Sequence, residues 1–291
     1  MKIRKLSVSF KILIFIFYFS SSGFIHSQSQ YPSLTFSKKS ADIFNVVPYA
    51  GVIKSEYSDD DYNLDEDDSA IMKGLYMQWI RPDYFQINSF IYGAEDLYNE
   101  NFTGFHLMGD YYLNHPQNGR YVTGAGIEII KPDFSKNISA PSFVFDAEIK
   151  NTLYVPFIRA GRYFDFDIGN FSTFSILQWA GYQLAVSRGD AEISIDYDGA
   201  GPAPEAQIKE KISDETSSML LGVTLSLNLM RFVGLDFKYK GVMNSENYFN
   251  VIEAMGNIYF TKNIGFSARY KNAENDNGNT IYAIYGIIIS F

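Results

Sequence analysis

Apolar and polar side chains alternate with period two along most of this 291-residue chain, the spacing that sends successive residues to opposite faces of a strand. The clearest run lies in 216–229. There Met219, Leu221, Val223, Leu225, Leu227 and Leu229 share one face, and Ser218, Leu220, Gly222, Thr224, Ser226 and Asn228 the other. In 103–113, Phe105, Leu107, Gly109, Tyr111 and Leu113 oppose His106, Met108, Asp110 and Tyr112. In 249–260, Ile252, Ala254, Ile258 and Phe260 oppose Glu253, Asn257 and Tyr259. Carried along the chain, this reading predicts strands at 43–57, 69–80, 84–94, 103–113, 120–132, 142–150, 153–163, 171–184, 191–197, 216–229, 234–244, 249–260, 264–273 and 280–291. Segments 43–57, 69–80 and 153–163 alternate poorly and are placed by their neighbours. No internal repeat is visible.

The last of these segments organises the rest. Ile281, Ala283, Tyr285, Ile287, Ile289 and Phe291 form an unbroken apolar stripe, while Tyr282, Ile284, Gly286, Ile288 and Ser290 form a mixed face. A soluble sheet would place so apolar a strand in mid-core. The strand, with its final Phe, resembles the closing strand of bacterial outer-membrane β-barrels. The resemblance extends from about Ile43 to Phe291 and implies an all-β fold, a transmembrane antiparallel up-and-down barrel. It also implies that Tyr285, Ile287, Ile289 and Phe291 carry the signal read by the barrel assembly machinery.

The connections agree with that fold. Taken alternately, one set is short (81–83, 114–119, 151–152, 185–190, 230–233, 261–263) and the other mostly longer and polar (58–68, 95–102, 133–141, 164–170, 198–215, 245–248, 274–279). Short turns at one end and long loops at the other are the outer-membrane pattern. With both chain ends in the periplasm the strand count is even. Fourteen is the expectation. The alternative merges 142–163 into one strand and leaves 191–197 in a loop, giving twelve. Fourteen strands spaced about 4.8 Å and tilted about 40° make a barrel roughly 28 Å across.

Composition fits a barrel. The chain carries 25 Phe and 22 Tyr, with mean hydropathy of −0.11, as expected where aromatic girdles and lipid-facing apolar groups are offset by polar interior ones. It has no cysteine, which excludes disulfides and thiolate metal sites. Lys2, Arg4, Lys5 and Lys11, then an apolar run over 12–19 and small residues at 20–23, read as a secretory signal cleaved after Ser27; eight apolar residues are too few for a membrane helix, which needs about 20. Beyond that segment no window of about 18 apolar residues exists. The expected organisation is a signal peptide over 1–27, a periplasmic lead-in over 28–42 and the barrel over 43–291. Removing four basic residues takes the formal charge from −9 to −13. That disfavours nucleic acid and suits a surface that meets outer-membrane lipid and lipopolysaccharide through divalent cations.

Several residues could carry chemistry. The acidic run of Asp59, Asp60, Asp61, Asp65, Glu66, Asp67 and Asp68 suggests a weak cation loop built on Asp59, Asp61, Asp65 and Asp67. Leu64 stands where an EF-hand needs Gly, and Ala70 where it needs the closing Glu, so that motif is rejected and no metal is assigned. By alternation the lumen carries Asp110, Glu128, Asp146, Glu148, Asp236 and Glu253 against Lys150, Lys238, Lys240, Arg269 and Lys271. These either form opposed charge walls that tune selectivity or pair into a plug. His106, on the Asp110 face and near Ser89 of the preceding strand, is the one histidine placed for hydrolysis; His115 lies in a turn. Arg188-Gly189-Asp190 reads as an integrin tripeptide and, with fourteen strands, faces the periplasm. The loop 198–215 is the longest, with a short helical turn expected over 205–211. No cofactor and no catalytic residue is assigned. The expectation is a monomeric barrel in the outer membrane of a Gram-negative-type bacterium, a narrow channel for small polar solutes. A plugged surface barrel is the alternative, and an outer-membrane hydrolase comes third.

Overall fold

The computed structural model describes residues 42–291, apart from 60–63, 82–83, 98–99, 116–118, 141–142, 169–171, 197–205, 230–231, 245–247 and 276–277. The described residues form twelve strands: β1 (Ile43–Asp59), β2 (Leu64–Arg81), β3 (Phe85–Leu97), β4 (Glu100–His115), β5 (Gly119–Ala140), β6 (Phe143–Asp167), β7 (Thr173–Asp196), β8 (Ala206–Leu229), β9 (Val233–Met243), β10 (Tyr248–Tyr259), β11 (Ile264–Asn275) and β12 (Gly278–Ser290). Each pairs with its sequence neighbours, and β12 pairs antiparallel with β1, closing the sheet into a barrel. Closure satisfies the backbone of every strand over the paired stretch, so the sheet has no edge there.

The two faces separate as the period-two reading requires. On β8 the Leu221 face points outward and Leu220, Thr224, Ser226 and Asn228 are buried inside; on β12 Tyr285, Ile287 and Ile289 point outward and Tyr282, Ile284 and Ile288 inward. Outward aromatics crowd the end at which β1 begins and β12 ends, the turn end. Phe44, Trp79, Tyr84, Phe166, Phe232, Phe260 and Phe291 are all exposed there. The expected contrast with long connections at the opposite, loop end is lost, since five of those six span only two to four residues. The seam is tied at the turn end: Phe291 N donates to Phe44 O (2.9 Å), the two rings lie 6.4 Å apart, and Asn263 Nδ2 donates to Ser290 O (2.7 Å). Higher up the seam, a Cβ on Gly51 would run into the Ala283 carbonyl and the Ile284 backbone, so close approach of β1 to β12 requires glycine there.

Strand length divides the sheet. β9–β12 have 11 to 13 residues, whereas β5–β8 have 22 to 25. β8 meets β9 from Met219, opposite Met243, down to Leu229. Above that, 206–218 pairs with β7 alone among the described residues, and its exposure no longer alternates. The upper parts of β5–β8 thus form a four-stranded extension rising past the rest of the barrel.

Twelve strands replace the expected fourteen. The predicted turns at 151–152 and 185–190 are strand interior in β6 and β7. They lie side by side, Asn151 opposite Gly189 and Thr152 opposite Arg188. Residues 191–196 are neither a separate strand nor a loop but the last part of β7, and 206–215, including the expected helical turn, belongs to β8. Residues 64–68 of the acidic run, expected in a loop, are strand, since Leu64 to Asp68 pair with Asp59 to Ser55. Residues 133–140 and 164–167 likewise extend β5 and β6. With twelve strands at the same spacing and tilt, the barrel narrows to roughly 24 Å.

Candidate functional site

The barrel interior is the candidate site, and it is built in three layers. Nearest the turn end, inward amides and hydroxyls form a belt. Ser290 Oγ donates to Asn45 Oδ1 (2.6 Å), Asn45 Nδ2 to Gln78 Oε1 (3.0 Å), and Asn88 Oδ1 accepts from Tyr76 (2.6 Å), Gln78 (3.1 Å) and Gln86 (2.9 Å). Tyr112 completes it by donating to Gln86 Oε1 (3.1 Å). The belt therefore crosses β12, β1, β2, β3 and β4 without a break. A buried amide in such a place is costly unless it is bonded.

Charges fill the middle. Arg159 on β6 grips Asp110 on β4 through two bonds, Nη2 to Oδ2 at 2.5 Å and Nε to Oδ1 at 3.0 Å. Arg269 on β11 bonds Glu253 Oε1 on β10 through Nε (2.7 Å), and Lys238 Nζ lies 3.8 Å from the same oxygen. Tyr92 donates to Glu128 Oε1 (3.2 Å). His106 stands opposite Phe90 and Glu128 in the ladder and stacks on Phe157, with ring centroids 5.9 Å apart. Toward the loop end the lining turns apolar: Ile53, Ala70, Met72, Leu97, Phe102, Ile130, Leu153 and Val155 are all buried and belong to one cluster.

These layers close the interior. In an aqueous pore the inward charges would be wet, yet Arg269 and Glu253 are each 2% exposed, Lys271 1% and His106 0%. Side chains also reach across: Arg269 on β11 lies over the Phe90 ring on β3 at 5.9 Å, four strands away around the barrel, and Tyr49 on β1 bonds Ser267 on β11 at 2.8 Å. The large surface cavities sit elsewhere. One of about 870 Å³ on the outer face has Gly109, Ala125, Ala160 and Ala180 along its floor and Tyr111 and Tyr182 at its sides.

The structure brings together most of the predicted lumen residues. Asp110, Glu128, Asp236, Lys238, Lys240, Glu253, Arg269 and Lys271 are all inward and buried. They do not form opposed walls, because Glu253 sits in register between Lys238 and Lys271. Lys150 is exposed rather than in the lumen. The side chains of Asp146 and Glu148, on the upper part of β6, lie outside the described residues, as do those of Asp59, Asp61 and Asp65. Asp67 is exposed, 3.8 Å from Lys54. No cluster of metal-binding side chains occurs among the described residues. Ser89 faces outward, away from His106, so the two do not meet. Arg188-Gly189-Asp190 sits in the extension toward the loop end, not in a turn at the other end.

Arg159 was not legible in the sequence. Its segment carries apolar residues on both faces, with Leu153, Val155 and Phe157 inside and Tyr154 and Ile158 outside. Asp110 was the available signal, since an inward carboxylate in a closed core requires a cationic partner.

No protein-family model and no curated protein sequence matches the chain. Among solved structures, the translocator domain of the autotransporter NalP from Neisseria meningitidis aligns with a TM-score of 0.60 at 11% identity, over 89% of this chain and 91% of that one. The transport unit of the autotransporter AIDA-I from Escherichia coli aligns at 0.49 and 9% identity, over 92% of each chain. The KdgM porin aligns at 0.41 and 10% identity, over 84% of this chain and 99% of that one. At such identities the likeness concerns the fold alone, and the first alignment carries it. The chain folds as a closed, twelve-stranded barrel of the bacterial outer-membrane type.

Proposed function

We propose that this protein is an outer-membrane barrel with a closed interior, which anchors the β5–β8 extension at the cell surface as a platform for interaction. The observation that carries the reading is the burial of inward side chains from the amide belt through the charged layer to the apolar cap. The end where β1 begins and β12 ends then lies in the periplasm and the extension outside, where its acidic groups meet lipopolysaccharide through divalent cations. A secretory signal over about 1–27 and a periplasmic lead-in over 28–42 complete the proposal, and the start of the mature chain, read by amino-terminal sequencing, tests them. Assembly in the membrane uses the apolar stripe that ends on Phe291.

The experiment is planar-bilayer conductance of folded protein, with heat-modifiable migration confirming the fold. The platform predicts no resolvable current steps. Regular steps would overturn it in favour of a second reading, a narrow channel for small polar solutes. A specific observation favours that second reading: the middle of the interior is lined by charges, which tune selectivity once water enters, where a purely structural core would be apolar. Under it, the apolar cap at the loop end is the gate.

A further inference from the structure

On the outer face of the band, Arg162 stands without an acidic partner among the described residues. It points outward from β6, directly opposite Tyr121 on β5 and Gln178 on β7. Its guanidinium lies over the Tyr121 ring at 5.5 Å and over the Phe164 ring at 4.8 Å. Those contacts occupy the face of the guanidinium and leave its fork of N–H donors unspent. Its Nε is closed to water and has no hydrogen-bond partner among the described residues. Asp165, the next carboxylate along the strand, already accepts from Arg120 at 3.3 Å and Ser175 at 2.6 Å. Phe164 is the next outward residue toward the turn end, so Arg162 leans toward the membrane surface on that side, as a snorkelling side chain does. An arginine facing lipid is costly away from the interface, and it suits an anion that the lipid itself supplies.

Above Arg162 the sheet leaves a trough. The opposed pair Ala160 and Ala180 forms its floor and Leu221 stands at its side; the cavity measures about 740 Å³, with Arg162 and Gln178 among its lining. The same two alanines line the larger outer cavity of about 870 Å³, so the two are continuous. An apolar trough that ends on a cation matches an acyl chain joined to a phosphate. The outward carboxylates of the strands, Glu56, Glu95, Glu192 and Glu274 among them, lie toward the loop end. A second barrel in the same membrane would present them at the wrong height for Arg162.

We infer that this trough binds one phospholipid of the periplasmic leaflet. An acyl chain lies over Ala160 and Ala180, and the phosphate sits on the Arg162 guanidinium, which grips phosphate through two parallel bonds. Gln178 donates beside it. The inference rests on the membrane placement of the proposed function, not on its closed interior.

The test is native mass spectrometry of the full chain, folded in detergent and titrated with palmitoyl-oleoyl phosphatidylglycerol. One lipid per barrel is expected to stay bound to the wild type. Arg162→Met weakens that binding about tenfold through lost charge-assisted bonds, and Arg162→Lys, a point charge without the fork, keeps part of it. Ala160→Phe, on the lipid side, fills the trough and weakens binding as much as Arg162→Met does. Lys73→Met, an outward cation on β2, leaves the bound lipid in place. Diolein, which has the chains but no phosphate, does not displace the lipid, and neither does inorganic phosphate, which has no chain. If Arg162→Met does not fold, Arg162→Lys and Ala160→Phe decide. Equal retention by the wild type, Arg162→Met and Ala160→Phe marks an unspecific annulus and overturns the site. Displacement by diolein or by inorganic phosphate overturns it too, as a site for chains alone or for any anion. Conductance steps would overturn the closed platform without touching these outcomes.

Discussion

Two parts of one sheet obey different rules. Within the band shared by all twelve strands, most outward residues are apolar, inward ones are buried, and charged groups are held against one another inside. In the extension of β5–β8 above that band, the same strands continue with charges on both faces. On β8, Leu221 is outward and apolar, while Lys209, Glu210, Lys211, Asp214 and Glu215 are all exposed. In the band, environment selects each residue; in the extension, backbone pairing continues the strand, and the described side chains of β8 over 209–215 are mostly exposed to water. Position along a strand therefore determines what a substitution does, more than residue type.

The largest contrast concerns ion pairs. Glu253→Gln leaves Arg269 and Lys238 in the band without their carboxylate and is expected to cost about 3–5 kcal/mol. Glu192→Gln in the extension breaks a pair with Lys209 at 2.9 Å whose side chains are 42% and 63% exposed, and should cost under about 1 kcal/mol. Urea titration of folding into vesicles measures both, and similar costs would erase the distinction.

Next comes arginine on the outer face of a single strand. Leu221→Arg puts a charge into lipid at about 2–4 kcal/mol. Ser213→Arg, eight residues higher on the same face of β8, should change stability by less than about 0.5 kcal/mol. A Ser213 variant as damaged as the Leu221 one would mean that the band reaches higher than the register implies.

A smaller effect sharpens the difference between the band's two faces. The Cβ of Gly222→Ala would meet the Trp179 indole inside the barrel, so overpacking of about 1–3 kcal/mol is expected. Gly256→Ala faces outward, with Leu235 Cδ2 3.5 Å away as the nearest neighbour, and should lie within about 0.5 kcal/mol of wild type.

The smallest effect is at the rim. Arg81 bonds both oxygens of Asp42, at 2.9 and 2.8 Å, and holds that carboxyl below its ordinary value of 3.8. A lowered carboxyl contributes fully above the ordinary value and loses its contribution as pH falls through the lowered one. Amide exchange at Ile43 and Phe44, corrected for its intrinsic pH dependence, should therefore quicken only in acid below that range, and Asp42→Asn should remove the response.

The same division explains what could be read in advance. Segments 103–113, 216–229, 249–260 and 280–291 were legible because one face meets an apolar surrounding and the other a polar interior, and the structure keeps every facing assigned to them. The segment holding Arg159 was not, because Val155 and Phe157 inside match Ile158 outside, and two similar faces leave no contrast. The count of strands failed at one place. The polar runs at 151–152 and 185–190 resemble turns in composition, yet they are opposed in the ladder and mark where two strands leave the apolar band.

The sequence by itself determined the class of fold, the face of each amphipathic strand and the identity of most interior charges. It could do so because alternation is local and each residue records which side of the sheet it occupies. Only the tertiary structure decided that twelve strands close the barrel, that the charges pair inside rather than line a wet pore, and that Arg159 meets Asp110 across two strands. These depend on register between strands and on reach across the interior, which join residues far apart in the chain and leave no local trace in it.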